Sequence, residues 1–344
     1  MIRIAMDCLG GDHSPDANIE GGVMGLAAHP DLQMLFLGDE AVVKNKLEEL
    51  KAPMDRCEIV HAPDVVTGED RPLDAVRMKR DSSMIRGIKL LREDEDLAAL
   101  ISTGASGTLV SAATLRIGRI EGVHRPAFCP VIPTMHGGIV AVCDSGANID
   151  CSPEQLQQFA LMGSAYLSCT FGIENPRVAL LNVGVESEKG DDLRRAAYAL
   201  LKETEGLNFV GNMESRDFLS GKYDLVVSDG FSGNVLIKST EGACLEMLMR
   251  LKRDISSRFV NKIGALFMYK TLMKEKKFMN YQNYGGSVLL GSEKIIVKGH
   301  GSSKATAVSK CVDQAYTMIT SGLREKIAES IGKNIKTTEE TQNV

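Results

Sequence analysis

The sequence predicts a three-layer α/β/α fold with a mostly parallel sheet. Short apolar runs rich in β-branched residues alternate with amphipathic helical segments along nearly the whole chain. This order implies right-handed crossovers between parallel strands, with helices on both faces of the sheet. Several runs are continuously apolar, which is typical of strands buried on both faces. The predicted strands are residues 2–7, 32–37, 57–61, 97–102, 139–144, 178–183, 223–229 and 294–298.

No repeat or low-complexity linker divides the chain, so we expect a single α/β catalytic unit over residues 1–334. The segment 250–280 carries nine lysines and arginines against two acidic residues, with apolar residues at helical spacing. We therefore expect a basic amphipathic helical excursion at about residues 245–282, with Gly264 as a break between two helices. The polar tail, residues 335–344, is predicted to lack fixed structure.

Composition excludes several functional classes. The 344 residues are 44% hydrophobic and 25% charged, which is typical of a globular protein. The apolar runs are far shorter than the roughly 20 residues that span a bilayer. The N-terminus shows no signal-peptide pattern, so we expect a cytoplasmic location. The net charge of −5 disfavours nucleic acid as a partner.

The cysteines and histidines indicate neither a metal site nor a disulfide framework. The eight cysteines form no C-x-x-C pair, and the six histidines show no H-E-x-x-H or H-x-H spacing. We expect buried free thiols, no metal and no cofactor.

Turns rich in Gly, Ser and Asp follow the predicted strands. Ligands of open parallel sheets bind outside the carboxyl ends of the strands. Glycine lets backbone N–H groups approach a ligand there, and the N-terminus of the next helix favours an anion. The six turns together predict a phosphate site, although each turn alone is better explained by a tight connection. The turns are residues 7–12, 102–107, 144–148, 182–186, 229–234 and 299–303.

Motifs for other chemistries do not accompany these turns. The sequence has no G-x-x-x-x-G-K-[ST] P-loop and no G-x-S-x-G nucleophile elbow, and the turn after residue 102 is not G-x-G-x-x-G.

Longer motifs resemble one known family. They include MDCLGGDHSP at 6–15, DSGANIDC at 144–151, ALLNVGVESEKG at 179–190, SDGFSGNVLIKSTEG at 228–242 and GHGSSK at 299–304. These resemble the PlsX family of phosphate acyltransferases of bacterial phospholipid synthesis, over nearly the whole chain. The resemblance implies transfer of a long-chain acyl group from acyl carrier protein to inorganic phosphate, giving acyl phosphate for phosphatidic acid synthesis.

The resemblance has structural implications as well. It implies a fold similar to isocitrate dehydrogenases and phosphotransacetylases, and a homodimer. It further implies loose membrane association, next to a membrane acyltransferase acting downstream. The residues predicted to contact the carrier or the membrane are Arg250, Arg253, Lys262, Lys274, Lys276 and Lys277. The basic segment is equally compatible with packing on the body of the protein or on a second subunit.

The implied reaction needs no covalent nucleophile, because a thioester is already activated and phosphate is itself a nucleophile. A thiolate leaves without strong acid assistance. The protein must then hold an anion, align it with the carbonyl carbon and stabilise the oxyanion.

Lys189, Asn234 and His300 are the predicted catalytic residues. Lys189 would neutralise phosphate or the oxyanion, and its alternative is a solvated loop lysine. Asn234 would donate to the oxyanion or instead cap a helix. His300 would donate to phosphate, protonate the thiolate or be structural. The family resemblance favours function for Lys189 and Asn234.

The same turns supply the predicted phosphate-binding and substrate-binding residues. The four turn aspartates, residues 7, 12, 144 and 229, would repel phosphate, so we expect them to orient donors or cap helices. The family usually has Gly-Asn-Thr-Gly in the turn that here reads Gly-Ala-Ser-Gly, so any hydrogen bond from that Asn is lost at Ala105. The predicted binding residues are Gly10, Gly11, Ser102, Gly104, Ser106, Gly107, Gly184, Gly233, Gly301, Ser302 and Ser303.

Three alternative functions remain at this point. They are a phosphotransacetylase that uses acyl coenzyme A, a nicotinamide-dependent dehydrogenase of the same fold, and a non-catalytic module that binds a membrane or carrier through residues 250–280.

Overall fold

The computed structural model of the chain describes residues 1–278 and 284–342, without the side chains of residues 275–278 and 335–342. The elements of the first part are β1 (Ile2–Asp7), α1 (Asp16–Ala28), β2 (Leu32–Gly38), α2 (Glu40–Glu49), β3 (Cys57–His61), α3 (Pro72–Met78), α4 (Ser83–Glu93), β4 (Leu97–Ser102), α5 (Ser106–Arg116), β5 (Ala127–Cys129), β6 (Val131–Pro133) and β7 (Ile139–Cys143). The second part contains α6 (Pro153–Phe171), β8 (Val178–Asn182), α7 (Asp192–Glu203), β9 (Phe209–Glu214), β10 (Leu225–Val227), α8 (Gly230–Ser257), α9 (Phe259–Phe267), α10 (Tyr269–Phe278), β11 (Ser287–Leu290), β12 (Ile295–Lys298), α11 (Ala305–Thr320) and α12 (Leu323–Gln342).

The α/β/α fold class is confirmed, but the strands form two sheets where we expect one. A seven-stranded sheet has the order β3-β2-β1-β4-β12-β11-β5, and a five-stranded sheet has the order β6-β7-β10-β8-β9. Every pairing is parallel except those of β11 and β6.

The chain passes from one sheet to the other at Pro130. This residue alone separates β5, at the edge of the first sheet, from β6, at the edge of the second. Proline has no backbone N–H and cannot continue a ladder, so it suits a strand that ends at a sheet edge. The eight predicted strands all form, and the sequence analysis missed β5, β6, β9 and β11.

Helices cover both faces of the sheets. Helices α3, α4 and α5 pack on one face of the seven-stranded sheet, through buried residues such as Val76, Ile88 and Leu109. The opposite face shares one core with the five-stranded sheet, because Met6 of β1 and Leu180 of β8 belong to the same buried cluster. Helix α8 begins on the remaining face of the five-stranded sheet.

Two glycines let α1 and α11 approach each other closely. A Cβ atom at Gly21 would lie 2.5 Å from the Val308 Cβ, and one at Gly25 would lie 2.5 Å from the Val312 Cγ1. Any larger residue would therefore push the two helices apart.

Helices α8, α9 and α10 occupy the basic segment. Helix α8 has 28 residues, about 42 Å at 1.5 Å per residue, and its buried residues all lie between Gly230 and Ile237. The prediction of a break at Gly264 is wrong, because this residue lies inside α9 and the chain is extended instead at Arg258. A single glycine costs a helix only about 1 kcal/mol, which its neighbours can offset.

The C-terminal helix extends further than we expect. Buried Leu323, Ile327 and Ile331 anchor α12, which continues to Gln342 and so enters the predicted unstructured tail. None of the helices in the described ranges has the length and apolar composition needed to cross a membrane.

Candidate active site

The turns at the ends of β1 and β4 are held by Asp7. Its buried carboxylate accepts hydrogen bonds from the Ser83 hydroxyl at 2.5 Å and the Ser102 hydroxyl at 2.6 Å. The Ser102 Oγ in turn accepts from the Gly104 N–H at 3.1 Å. Ser102 therefore uses its hydroxyl proton on Asp7, which does not fit the phosphate-binding role predicted for Ser102, and Asp7 orients hydroxyl donors within the turns themselves.

Gly10 and Gly11 allow three turns to meet at this edge. A Cβ at Gly10 would lie 2.5 Å from the Gly104 nitrogen. Gly11 has a φ of +87°, and a Cβ there would lie 2.9 Å from the Gly301 oxygen. The buried Asn18 amide ties the first turn together by donating to the carbonyls of residues 7, 8 and 10. The two glycines thus serve close backbone packing.

In the second sheet, Asp144 at the end of β7 organises the next turn. Its buried carboxylate accepts from the backbone N–H groups of Ser145, Gly146, Ala147 and Asn148. Burial raises the pKa of Asp144, although these donors act in the opposite direction. The carboxylate shapes the turn, as we expect.

Asp229 caps α8 and joins it to α7. Its carboxylate accepts from the Ser232 N–H at 2.8 Å and is ion-paired with Arg194. A second ion pair, at 2.8 Å, joins Arg194 to Asp191. The capping role predicted for Asp229 is confirmed.

A cavity of about 320 Å³ lies between the two sheets. The polar part of its lining contains Ser106, Asn234, Lys298 and His300 together with Lys238 and Glu241, and apolar side chains make up the other part. This volume is at the lower end of the range for ligand pockets, and the combination of apolar wall and convergent polar groups is typical of them. The apolar residues are Phe128, Pro130, Val131, Ile132 and Ile237.

Burial lowers the pKa of His300, and the nearby Lys238 and Lys298 charges lower it further. The Ser302 N–H donates to His300 Nδ1 at 3.2 Å. The neutral ring therefore carries its proton on Nε2.

Sequence reasoning missed Lys298, the last residue of β12. It is 9% exposed, and burial lowers its pKa to about 8. The feature of the sequence that could have identified it is a lysine at the end of an apolar strand, directly before the Gly-His-Gly turn.

A larger cavity of about 810 Å³ lies on another side of α8, lined by residues such as Asn182, Arg194 and Val235. Both arginines that line it are already ion-paired, Arg194 with Asp191 and Asp229 and Arg216 with Glu214. We therefore place the candidate site in the smaller cavity, which contains Asn234 and His300 together.

Lys189 lies beside the larger cavity, in the turn after β8. Its side chain is exposed, and Gly190, the next residue, lines that cavity. A Cβ at Gly184 would lie 2.9 Å from Lys189 Cγ, so this glycine gives the lysine stem its space. Lys189 is not among the lining residues of the smaller cavity.

Comparison with known proteins agrees with these observations. A family model described as a fatty acid synthesis protein matches residues 2–326. The phosphate acyltransferase of Bacillus subtilis is 39% identical over 338 residues, covering 98% of this chain and all of that protein. The phosphate acyltransferase of Brevibacillus brevis is 40% identical over 334 residues, covering 97% and 98%. The chain belongs to the phosphate acyltransferase family.

Solved structures place this phosphate acyltransferase family member in a known fold. A phosphotransacetylase from Streptococcus pyogenes superposes with a TM-score of 0.58 at 16% identity, covering 92% of this chain and 94% of that one. The EutD phosphotransacetylase from Staphylococcus aureus gives 0.55 at 16% identity, with the same coverage. At these identities the likeness shows the fold alone.

The other residues predicted for the phosphate acyltransferase site have varied surroundings. Gly233 packs against the carbonyl of Asp144, and the Ser303 N–H donates to the His300 carbonyl at 3.0 Å. Ala105 is the N-cap of α5 and offers no side-chain acceptor. Gly104, Gly301 and Ser302 lie in turns near the cavity-lining residues Ser106 and His300, and Gly107 follows Ser106 in the first turn of α5.

The residues predicted for carrier or membrane contact lie on the basic helices. The side chains of Arg250, Arg253, Lys262 and Lys274 are exposed. Those of Lys276 and Lys277 lie outside the described residues.

Proposed function

We propose that the enzyme transfers a long-chain acyl group from acyl carrier protein to inorganic phosphate and releases acyl phosphate. The observation that carries the proposal is the cavity between the sheets, whose lining combines amide, imidazole and hydroxyl donors with apolar side chains. Phosphate would occupy the polar part and the acyl group would enter along the apolar part. Family membership favours this reaction over the dehydrogenase alternative.

The chemistry balances without a further reactant. A phosphate oxygen attacks the thioester carbonyl carbon, the carbon–sulfur bond breaks, and the sulfur leaves as a thiolate that takes up a proton. We assign the Asn234 amide to donation toward the carbonyl oxygen as it becomes negative. His300, neutral at physiological pH with its proton on Nε2, is assigned to donation toward phosphate or the thiolate.

Lys189 keeps its proposed role as a cation for the reacting group. Strands β8 and β10 are adjacent and parallel, so the turn that contains Lys189 lies beside the turn that begins α8. This adjacency supports the assignment, although Lys189 lines neither cavity.

The basic helices are the proposed contact for acyl carrier protein or an anionic lipid surface. Exposed cations there accompany exposed apolar side chains such as Phe259, Leu266 and Phe267. Basic residues beside apolar ones are typical of surfaces that bind anionic lipid headgroups. A homodimer, a cytoplasmic location with loose membrane contact, and a downstream membrane acyltransferase complete the proposal.

The direct test is to incubate the purified protein with acyl carrier protein charged with a long-chain fatty acid, with and without phosphate. Acyl phosphate should appear in the phosphorus NMR spectrum only when all three components are present. Parallel reactions with acyl coenzyme A distinguish the alternative donor. Activity with a short-chain coenzyme A ester alone would overturn the proposal in favour of a phosphotransacetylase.

A further inference from the structure

We propose that the Lys298 ammonium group is the cation that binds phosphate in the cavity between the sheets. This inference rests on the proposed function, because it assigns one substrate of that reaction to a subsite. Lys298 ends β12 and belongs, with His300, to the polar part of the cavity lining.

The hydrogen bonds of Lys298 leave a donor available for a ligand. Its Nζ donates to the Thr103 carbonyl at 3.3 Å and to the Gly299 carbonyl. An ammonium group has three N–H donors, and the third has no partner among the residues that the structure describes. The two carbonyls orient the group, and the cavity is the space left for the third donor.

No carboxylate pairs directly with Lys298 in the described part of the chain, although Asp7 and Asp12 lie near enough to favour its charged form. Lys238 on the cavity wall, in contrast, is paired with Glu241 at 3.0 Å. Burying an ammonium group without a counterion is costly. A bound anion would supply the missing charge.

The ionisable groups around Lys298 come from five parts of the fold. Asp7 and Asp12 act from β1 and the turn after it, and Cys311 acts from α11. Lys238 acts from α8, and Glu241 of α8 and His300 of the turn after β12 line the same cavity. Asp7 already accepts from two serine hydroxyls. These carboxylates outnumber the two lysines, but none of them forms an ion pair with Lys298 in the described part of the chain, so its ammonium group is the donor that an incoming phosphate would meet.

Lys294 provides a matched control at the other end of the same strand. Its Nζ also donates to backbone carbonyls, those of Glu95 at 2.9 Å and Leu97 at 2.8 Å. Lys294 lines no part of the cavity. If lysines held by backbone carbonyls only stabilised the fold, replacing Lys294 and replacing Lys298 would therefore have the same effect.

The test compares Lys298→Met, Lys298→Arg and Lys294→Met with the wild-type protein. We expect Lys298→Met to raise the KM for phosphate at least about 10-fold, because a hydrogen bond to a charged group is lost, with little change in the KM for acyl carrier protein. The same variant should weaken the increase in Tm that phosphate produces in the absence of acyl donor. Lys294→Met should leave the KM for phosphate and the phosphate-induced increase in Tm within about twofold of the wild-type values.

A Lys298→Met protein that folds like Lys294→Met and keeps a wild-type KM and Tm response for phosphate would overturn the inference. If Lys298→Met does not fold, Lys298→Arg decides. The wild-type affinity for phosphate should fall as Lys298 deprotonates above its pKa of about 8, and the Arg variant should lose this dependence. An unchanged pH profile in Lys298→Arg also overturns the inference.

These measurements separate the inference from the proposed function. If acyl phosphate forms but the KM for phosphate does not depend on Lys298, the inference is wrong and the proposed function stands. If phosphate binding depends on Lys298 but no acyl phosphate forms, the proposed function is wrong and the inference stands.

Discussion

The Ser102 hydroxyl at the end of β4 donates a 2.6 Å hydrogen bond to the Asp7 carboxylate at the end of the neighbouring β1. The bond is buried and joins two of the turns that border the candidate site. We expect Asp7→Asn to lower the free energy of unfolding by about 1.5–3 kcal/mol, because charge-assisted hydrogen bonds are lost. Urea unfolding measures this, with Ser102→Ala as a milder comparison. Equal stability of Asp7→Asn and wild type would contradict this account of the turns.

Ala105 leaves the N-terminus of α5 without a side-chain cap. We expect Ala105→Asn to raise the free energy of unfolding by about 1 kcal/mol, because the Asn oxygen can accept from a free N–H of the first turn. The backbone of Ala105 already has the extended conformation of an N-cap. The Ala105→Gln variant, whose amide is one carbon further out, is the control. A rise in Tm for both variants, or for neither, would argue against capping.

Burial of His300 makes stability depend on pH in a definite direction. Its pKa in the fold is below the ordinary value, which is about 6.5 in the unfolded chain. As the pH falls through about 6.5, the unfolded state therefore binds the proton first, and the free energy of unfolding decreases. The free energy of unfolding of His300→Gln should therefore decrease less than that of the wild type between about pH 7.5 and pH 5. Parallel curves of the free energy of unfolding against pH for the variant and the wild type would refute the prediction.

Asn234 should matter for turnover more than for folding. We expect Asn234→Ala to lower kcat by about 10²–10³-fold, as loss of an oxyanion donor does elsewhere, with an unchanged circular dichroism spectrum. Ser239→Ala is the matched control, because Ser239 lies on the same helix but lines the larger cavity. If Ser239→Ala loses activity and Asn234→Ala does not, the reaction belongs in the larger cavity.

Charge reversal on the basic helices should weaken binding without weakening the fold. Arg250 and Arg253 are exposed on α8, and their Asp254 neighbour is 3.9 Å away. The Arg250→Glu/Arg253→Glu variant should bind anionic vesicles or acyl carrier protein less well at low salt. Lys44→Glu/Lys202→Glu, which reverses two exposed lysines elsewhere, should not. Equal binding by both double variants would assign the helices another role.

The sequence predicted the strands better than their arrangement. Continuous apolar runs such as residues 97–102 were recognisable from side-chain composition alone. The division into two sheets depends on β5 and β6, which have three residues each, too few to show a period. Pro130 marks the division only once the partners of both strands are known.

The candidate site was predictable in part. The sequence predicted that Asn234 and His300 follow strands at one sheet edge. They follow strands of different sheets, β10 and β12, and both line the smaller cavity. Lys298 was missed because nothing in the sequence says which way the last side chain of a strand points. Gly10 and Gly11 were predicted to approach a ligand, and the structure shows them approaching other backbone segments, a difference that depends on long-range contacts.

The contact between α1 and α11 limits how the cavity can open. The turn 7–12 leads into α1 and the turn 299–303 leads into α11, and Gly21 and Gly25 bring these two helices into direct contact with Val308 and Val312. The part of the wall formed by Gly299 and His300 is thus attached to a closely packed pair of helices. A motion that admits a large thioester would then involve other parts of the wall, such as the residues of α8.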